Sequence, residues 1–149
     1  MKVIWHFKNF DDLTPRELYS ILQLRNEVFV VEQKCIYNDG DGKDLNCPQL
    51  WATLNGEIVA SCRIVPPGIS YKEPSIGRIA SHPKHRHLKL GHQIMRHSLQ
   101  IIENLYETTS VRISAQCYLK GFYEKYGFVQ SSEEYLEDLL PHMEMVKED

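Results

Sequence analysis

The stretch Ile76-Gly77-Arg78-Ile79-Ala80-Ser81-His82-Pro83-Lys84-His85-Arg86-His87-Leu88-Lys89-Leu90-Gly91-His92 decides the reading of this chain. A short apolar run of strand character meets a proline, passes through a turn rich in Lys, His and Arg, and opens onto a long helical pattern. Strand, basic turn and helix N-terminus together make a site for an anion. The first helical N–H groups have no internal partner, and the helix dipole favours negative charge there. That geometry suits a diphosphate. Basic loops also serve solubility alone, so the stretch acquires meaning from what surrounds it.

Upstream, Leu50 to Leu54 and Glu57 to Val65 are two strand-like runs joined by Asn55-Gly56, the strongest short hairpin signal. Pro66-Pro67-Gly68 ends the second run, and Ser75 to Ser81 is the strand that feeds the basic turn. At the start of the chain, Val3 to Phe7 alternates as a half-buried strand does. Thr14-Pro15-Arg16-Glu17 then reads as a helix start, with a capping threonine, a proline at the first helical position and a capping-box glutamate. Leu18, Ile21, Leu22, Arg25, Val28 and Phe29 follow at helical spacing and define its core face. Cys35 to Pro48 is dense in Gly and Asp and predicts turns.

Downstream, the long helix begins near Leu90, with Ile94, Met95, Ile101, Ile102 and Leu105 as its buried stripe. Val111 to Gln116 is a further strand, and Leu119 to Tyr126 a short helix stopped by Gly127. Phe128 to Val129 starts another strand, Glu133 to Pro141 is a loop, and His142 to Val146 alternates as the last strand. Helices interleaved with strands around one mixed sheet make this an α/β (α+β) fold. The 149 residues form one expected domain, without repeats or linkers.

Composition bounds the partners. The net charge of −3 gives no global reason to expect nucleic acid. No run of about 18 apolar residues exists to span a membrane. Met1 to Phe7 has no long apolar core or small-residue cleavage site, so a signal peptide is not expected. Cys35, Cys47, Cys62 and Cys117 lack C-x-x-C spacing, which predicts reduced, non-ligating thiols and a cytoplasmic protein. His82, His85, His87 and His92 cluster without metal-ligand spacing, and no metal site is expected.

These blocks together resemble the Gcn5-related N-acetyltransferase (GNAT) superfamily, and within it the ElaA-like branch. The acetyl-CoA motif of that family, Arg/Gln-x-x-Gly-x-Gly/Ala, corresponds to Arg86-His87-Leu88-Lys89-Leu90-Gly91. Its second motif corresponds to Gln116 followed by Phe122-Tyr123-Glu124-Lys125-Tyr126-Gly127-Phe128. The ElaA-like signature is similar to Leu24 through Gln33, with Tyr37, Asp41-Gly42, Asp44 and Pro141-His142 behind it. The resemblance implies a GNAT fold, a mixed, mostly antiparallel central sheet flanked by helices with splayed central strands. It implies acetyl-CoA as co-substrate and direct transfer of acetyl to a primary amine of a small molecule or peptide. It leaves room for a homodimer.

By the same resemblance, Ile79, Ala80 and Ser81 bind the pantetheine arm as an added half-strand. Backbone N–H groups of Arg86, His87, Leu88, Lys89, Leu90, Gly91 and His92 cradle the diphosphate. Gln116 holds the splayed strand end or touches the pantetheine amides. Tyr123 protonates the leaving sulfur, as a phenol with a reference pKa of about 10 can at neutral pH. The general base stays open among Glu32, Asp41, Asp44, His82 and His142, with Glu32 set beside Tyr123 as the catalytic carboxylate. The acidic loop Asp39-Asp41-Asp44 with Glu32 suggests a lining that attracts a cationic amine. Arg25 and Arg63 stand in apolar surroundings and predict structural pairing with the Glu32 or Asp44 region.

Lys89 departs from the motif, whose central glycine permits positive φ and close approach to phosphate. It denies that conformation, or adds an ammonium that offsets the poorer fit, or points to solvent. Two other functions stay open, of which Lys89 supports the second. One is an acyl-homoserine-lactone-synthase-like acyltransferase, which Arg25, Phe29, Asp41, Asp44 and Arg63-x-x-Pro66 faintly resemble. The other is a catalytically silent CoA-binding or interaction module.

Overall fold

The computed structural model describes residues 2–148. The first strand, β1 (Val3–Lys8), pairs antiparallel with β2 (Gln49–Leu54), which pairs with β3 (Glu57–Val65). The β2–β3 turn is the expected hairpin. Asn55 and Gly56 both take positive φ, 52° and 81°, as a two-residue turn matched to strand twist requires. β3 then pairs antiparallel with β4 (Ser75–Ser81).

Between β1 and β2 the chain forms helix α1 (Pro15–Arg25). Its capping box is closed: the Glu17 N–H donates to Thr14 Oγ1 at 3.1 Å, and the Thr14 N–H donates to Glu17 Oε1 at 2.9 Å. The helix widens into a π-helical turn over Asn26–Glu32. Its buried stripe is Ile21, Leu24, Arg25 and Val28 rather than the face through Leu22, which is exposed. Leu22 lies about 100° around the helix from Ile21, off the i, i+3, i+4, i+7 line that meets the sheet.

Helix α2 (Leu90–Tyr106) packs on β3 and β4 through Leu90, Ile94, Met95, Ser98 and Ile102. Leu105, expected in that stripe, is half exposed, while its neighbour Tyr106 packs on the core and Ser98 meets Cys62. Strand β5 (Val111–Gln116) follows, then a 3₁₀ turn over Cys117–Leu119 and the short helix α3 (Lys120–Glu124). Gly127, at φ 91°, takes the left-handed conformation that ends the segment. β6 (Val129–Gln130), β7 (Tyr135–Glu137) and β8 (Leu140–Lys147) complete the chain.

β7 is a correction: residues expected to be a loop form a hairpin with β8. Its turn residues Asp138 and Leu139 both have positive φ, 50° and 68°. That is the geometry of a two-residue hairpin turn, made without the Asn or Gly that would announce it.

The described strands form two antiparallel sheets, β1-β2-β3-β4 and β5-β8-β6, with β7 on β8. They adjoin where β4 and β5 start side by side, with the Arg112 N–H donating to the Pro74 carbonyl at 3.1 Å. Beyond that bond no ladder joins the two strands. The expected splay is thus complete enough to divide the sheet. One apolar cluster still runs through both halves, from Ile64 and Ile76 through Ile94 and Met95 to Ile113, Phe128 and Met145. No helix among the described residues is long and apolar enough to cross a membrane.

Candidate active site

The division of the sheet opens a cavity of about 700 Å³, lined on the β4 side by Gly77, Arg78 and Ile79 and on the other by Ser114, Gln116 and Tyr123. β4 is bulged at this point. Ser61 faces Ala80 and Arg63 faces Gly77, so Arg78 and Ile79 together stand opposite the single residue Cys62. Arg78 has φ 50°, a left-handed residue inside a strand that costs on the order of 1 kcal/mol and is held by the surrounding ion pairs. The bulge turns this edge of β4 toward the cavity. Of the three expected pantetheine-binding residues, Ile79 borders the cavity, while Ala80 is buried against Ser61 and Ser81 lies opposite Ala60.

β4 leads into the basic turn. His82 Nδ1 accepts the Lys84 N–H at 3.1 Å, Pro83 takes the first helical position, and a 3₁₀ segment runs from Pro83 to Leu88. Lys89 then adopts φ 54° and ψ 43°, and α2 begins at Leu90. The lysine therefore takes the backbone conformation for which the motif uses glycine. No acidic residue sits in the first turn of α2, so its free N–H groups and dipole face no competing carboxylate. The Lys89, Arg86 and His87 residues are exposed on the turn, whereas Leu88 and Leu90 anchor it in the core. These features fit a diphosphate held by backbone N–H groups, with the Lys89 ammonium beside it. Gly91 packs toward Phe122, and His92 is tied to α3: its Nδ1 lies 2.5 Å from the Tyr126 hydroxyl and its ring rests on Phe122.

Two residues expected to act separately meet. Arg86 makes a two-pronged ion pair with Glu32, at 2.6 and 2.7 Å. The Arg86 hydrogen bonds hold the Glu32 carboxyl below its ordinary range. Glu32 does not line the cavity and is occupied by Arg86 rather than poised as a free base. Gln116 pairs with Gln33 across 3.3 Å, which ties the end of β5 to the residue after the π-helical turn.

Tyr123 is 6 % exposed and packed edge-on against Phe122 and Phe128. Its hydroxyl has no hydrogen-bond partner among the described residues and borders the cavity. Burial pushes the phenol above its ordinary pKa, so it is a proton donor at neutral pH.

The acidic loop differs from expectation. Arg25 binds Asp44 and Asp39, both at 2.8 Å; Arg63 binds Asp41 at 2.7 Å and Asp44 at 3.3 Å; Arg78 binds Asp39 at 2.9 Å. Arg25 and Arg63 are thus paired with the Asp44 region, as their apolar surroundings demanded, and Glu32 takes no part. The three aspartates are consumed by three arginines. They fix the loop between α1 and β2 onto β3 and β4, and they present no open negative surface to an amine. Arg78, whose role in this lattice nothing in local sequence announces, also lies over the Tyr37 ring at 5.5 Å. Glu137, Ser114 and Tyr135, which local pattern did not single out, converge with His142 at the other end of the cavity.

Comparison with known proteins agrees with this architecture. An acetyltransferase (GNAT) domain model matches residues 26–149. Protein ElaA of Escherichia coli is 36% identical over 97% of this chain and 95% of its own length. Its crystal structure superimposes with a TM-score of 0.91 at 35% identity, covering 99% of this chain and 100% of the other. An acyl-CoA N-acyltransferase structure from Pseudomonas aeruginosa matches with a TM-score of 0.93 at 44% identity, over 98% and 99% of the two chains. With the bulged β4, the divided sheet and the turn into α2 all in place, the chain belongs to the GNAT acyl-CoA N-acyltransferase family, among the ElaA-like proteins.

Proposed function

We propose that this protein is an acetyl-CoA-dependent N-acetyltransferase that moves acetyl directly to a primary amine of a small molecule or peptide. The observation that carries the reading is one juxtaposition. The bulged edge of β4 and Tyr123 line one cleft between β4 and β5, and β4 runs on through the basic turn into the start of α2 behind Lys89.

Acetyl-CoA supplies an activated thioester. The residues of this chain do the rest. N–H groups at the start of α2, with the Lys89 ammonium, bind the diphosphate. The pantetheine arm lies along β4, where the β3–β4 sheet offers an edge that β5 leaves unpaired. Backbone N–H groups at the bulge stabilise negative charge on the thioester oxygen as the amine adds. Tyr123, kept protonated by burial, donates its proton to the departing sulfur. The Gln116–Gln33 hydrogen bond ties the end of β5 to the residue after the π-helical turn and fixes the position of that end of the cleft. The silent-module reading drew its support from Lys89, and that support weakens because the Lys89 backbone takes the left-handed conformation.

Calorimetric titration with acetyl-CoA, followed by a thiol-release assay on an amine panel, tests this. Saturable binding and amine-dependent release of free CoA are expected. Tyr123→Phe should keep the acetyl-CoA Kd within about twofold and lower kcat by about 10²-fold, the usual scale of general acid catalysis. Absence of saturable acetyl-CoA binding would overturn the reading. Thiol release with S-adenosylmethionine as acyl acceptor, and with no simple amine, would replace it with the lactone-synthase-like alternative.

A further inference from the structure

The acyltransferase reading leaves two questions, where the acceptor ammonium sits and what removes its proton, and one corner of the cavity answers both. The cavity-lining carboxylates are Asp41, Glu137 and Asp138. Asp41 is taken by two hydrogen bonds from Arg63. Among the described residues, neither Glu137 nor Asp138 pairs with an arginine or lysine. Negative charge free to meet a cation therefore lies at the β7–β8 hairpin.

His142 stands in the same corner, 6 % exposed, opposite Gln116 at the splayed end of β5. Its Nδ1 lies 2.8 Å from the Leu140 carbonyl oxygen. A carbonyl oxygen only accepts, so Nδ1 carries the hydrogen and, in the neutral ring, Nε2 presents its lone pair. That Nε2 is 3.4 Å from Glu137 Oε2. Two acceptors thus face each other in a lined cavity with no hydrogen of the neutral ring between them. The arrangement is completed by a proton on Nε2 or by an N–H donor that reaches both atoms, and a primary ammonium offers three such hydrogens. The pair is held rigidly. Ser114 Oγ donates to Glu137 Oε1 at 3.2 Å and lies 2.5 Å from the Tyr135 hydroxyl, and the Tyr135 ring stacks over His142. Tyr123 borders the same cavity.

We infer that His142 is the general base of acyl transfer and that Glu137 binds the ammonium of the acceptor beside it, which makes the acceptor a primary amine that arrives as a cation. The ammonium gives one proton to His142 Nε2, which passes it to solvent. The freed nitrogen forms the C–N bond to the thioester carbonyl and the C–S bond breaks. The second proton lost from nitrogen is matched by the proton that Tyr123 delivers to sulfur, so acetamide, free thiol and one released proton balance the reaction.

This inference rests on the acyltransferase reading, and its test separates the two. Acetyl-CoA affinity and steady-state kinetics are measured for wild type, His142→Ala and Glu137→Gln. 2-Phenylethylamine, putrescine and a tripeptide with a free N-terminus serve as acceptors. His142→Ala should keep the acetyl-CoA Kd within about twofold, lose about 10²-fold or more in kcat, and recover part of it when imidazole is added. Glu137→Gln, at a more exposed position, should raise the amine KM about tenfold with a smaller change in kcat. A kcat within threefold of wild type in His142→Ala, or a loss that imidazole does not restore, would overturn the assignment. If the alanine variant does not fold, an unchanged amine KM in Glu137→Gln overturns it by itself. Failure of wild type to bind acetyl-CoA would instead sink the underlying acyltransferase reading.

Discussion

Replacing Asp44 with asparagine should be among the most damaging isosteric changes available in this protein, although Asp44 lies in a loop. Four donors converge on its carboxylate: Arg25 Nη1 at 2.8 Å and Nη2 at 3.1 Å, Arg63 Nη1 at 3.3 Å, and Gln49 Nε2 at 3.2 Å. Arg25 is 1 % exposed and Arg63 5 %. Asparagine keeps the volume, removes the charge and turns an NH₂ group toward at least one guanidinium. Breaking one partner of a buried ion pair costs about 3–5 kcal/mol, because a charge is left without compensation. Arg25 retains Asp39, and Arg63 retains Asp41, which places Asp44→Asn near the lower end, about 3 kcal/mol. In a chain of this length that corresponds to a drop of roughly 6–12 °C in Tm. Urea unfolding followed by the fluorescence of Trp5 and Trp51 measures it, with the slope of the transition as a check on two-state behaviour. Glu73→Gln is the comparison. It removes a pair with Arg112 in which both side chains are partly exposed, and it should cost less than about 1 kcal/mol. If Asp44→Asn costs no more than Glu73→Gln, the argument that burial makes this network indispensable is wrong.

The same network sets a pH dependence. Hydrogen bonds from Arg63 hold the Asp41 carboxyl well below its ordinary range, and Asp44 is also lowered, because its arginine partners outweigh the burial that pushes it up. Carboxyls depressed in the folded state contribute stability that is complete above their unfolded pKa of about 3.9 and lost as pH falls toward the folded value. The urea midpoint should therefore fall steeply below about pH 4, and less steeply in Asp44→Asn; equal slopes would remove these aspartates from the cause. Lys89→Gly relieves a left-handed lysine worth about 1 kcal/mol, but frees the unfolded chain by a similar amount, so stability should change by less than about 0.5 kcal/mol. Its acetyl-CoA Kd should be unchanged or up to about fivefold weaker, since only an exposed ammonium is lost; titration showing tighter binding would mean the lysine spoils the cradle. Thr14→Ala opens the capping box and should cost about 1 kcal/mol in the same urea assay.

Local chemistry made much of the fold legible. Ser75–Ser81, Val111–Gln116 and the Asn55-Gly56 hairpin follow from β-propensity and turn residues whose preferences are intrinsic to a few neighbouring atoms. The Thr14–Glu17 capping box and the Gly127 stop are equally local. The β7–β8 hairpin escaped because Asp138 is only half of a turn signal, and Leu139 beside it has no intrinsic preference for the positive φ it adopts. The centres of the buried stripes on α1 and α2 were legible, through Ile21, Arg25 and Val28 and through Ile94, Met95 and Ile102; their edges, Leu22 and Leu105, were not, because only contact with the sheet decides how wide a stripe is covered.

The site divides along the same line. The sequence alone determined the order of elements, the basic turn into α2, Tyr123 on its short helix and the family to which these belong, because each is carried by residues close together in the chain. Only the tertiary structure decided how charges are spent. Asp39, Asp41 and Asp44 go to Arg25, Arg63 and Arg78, and Glu32 goes to Arg86, 54 residues away. Glu137 and His142 are left facing one another across the cavity. A carboxylate's chemistry depends on which cation reaches it through space and how much water is excluded around both, and neither quantity is a property of the local chain.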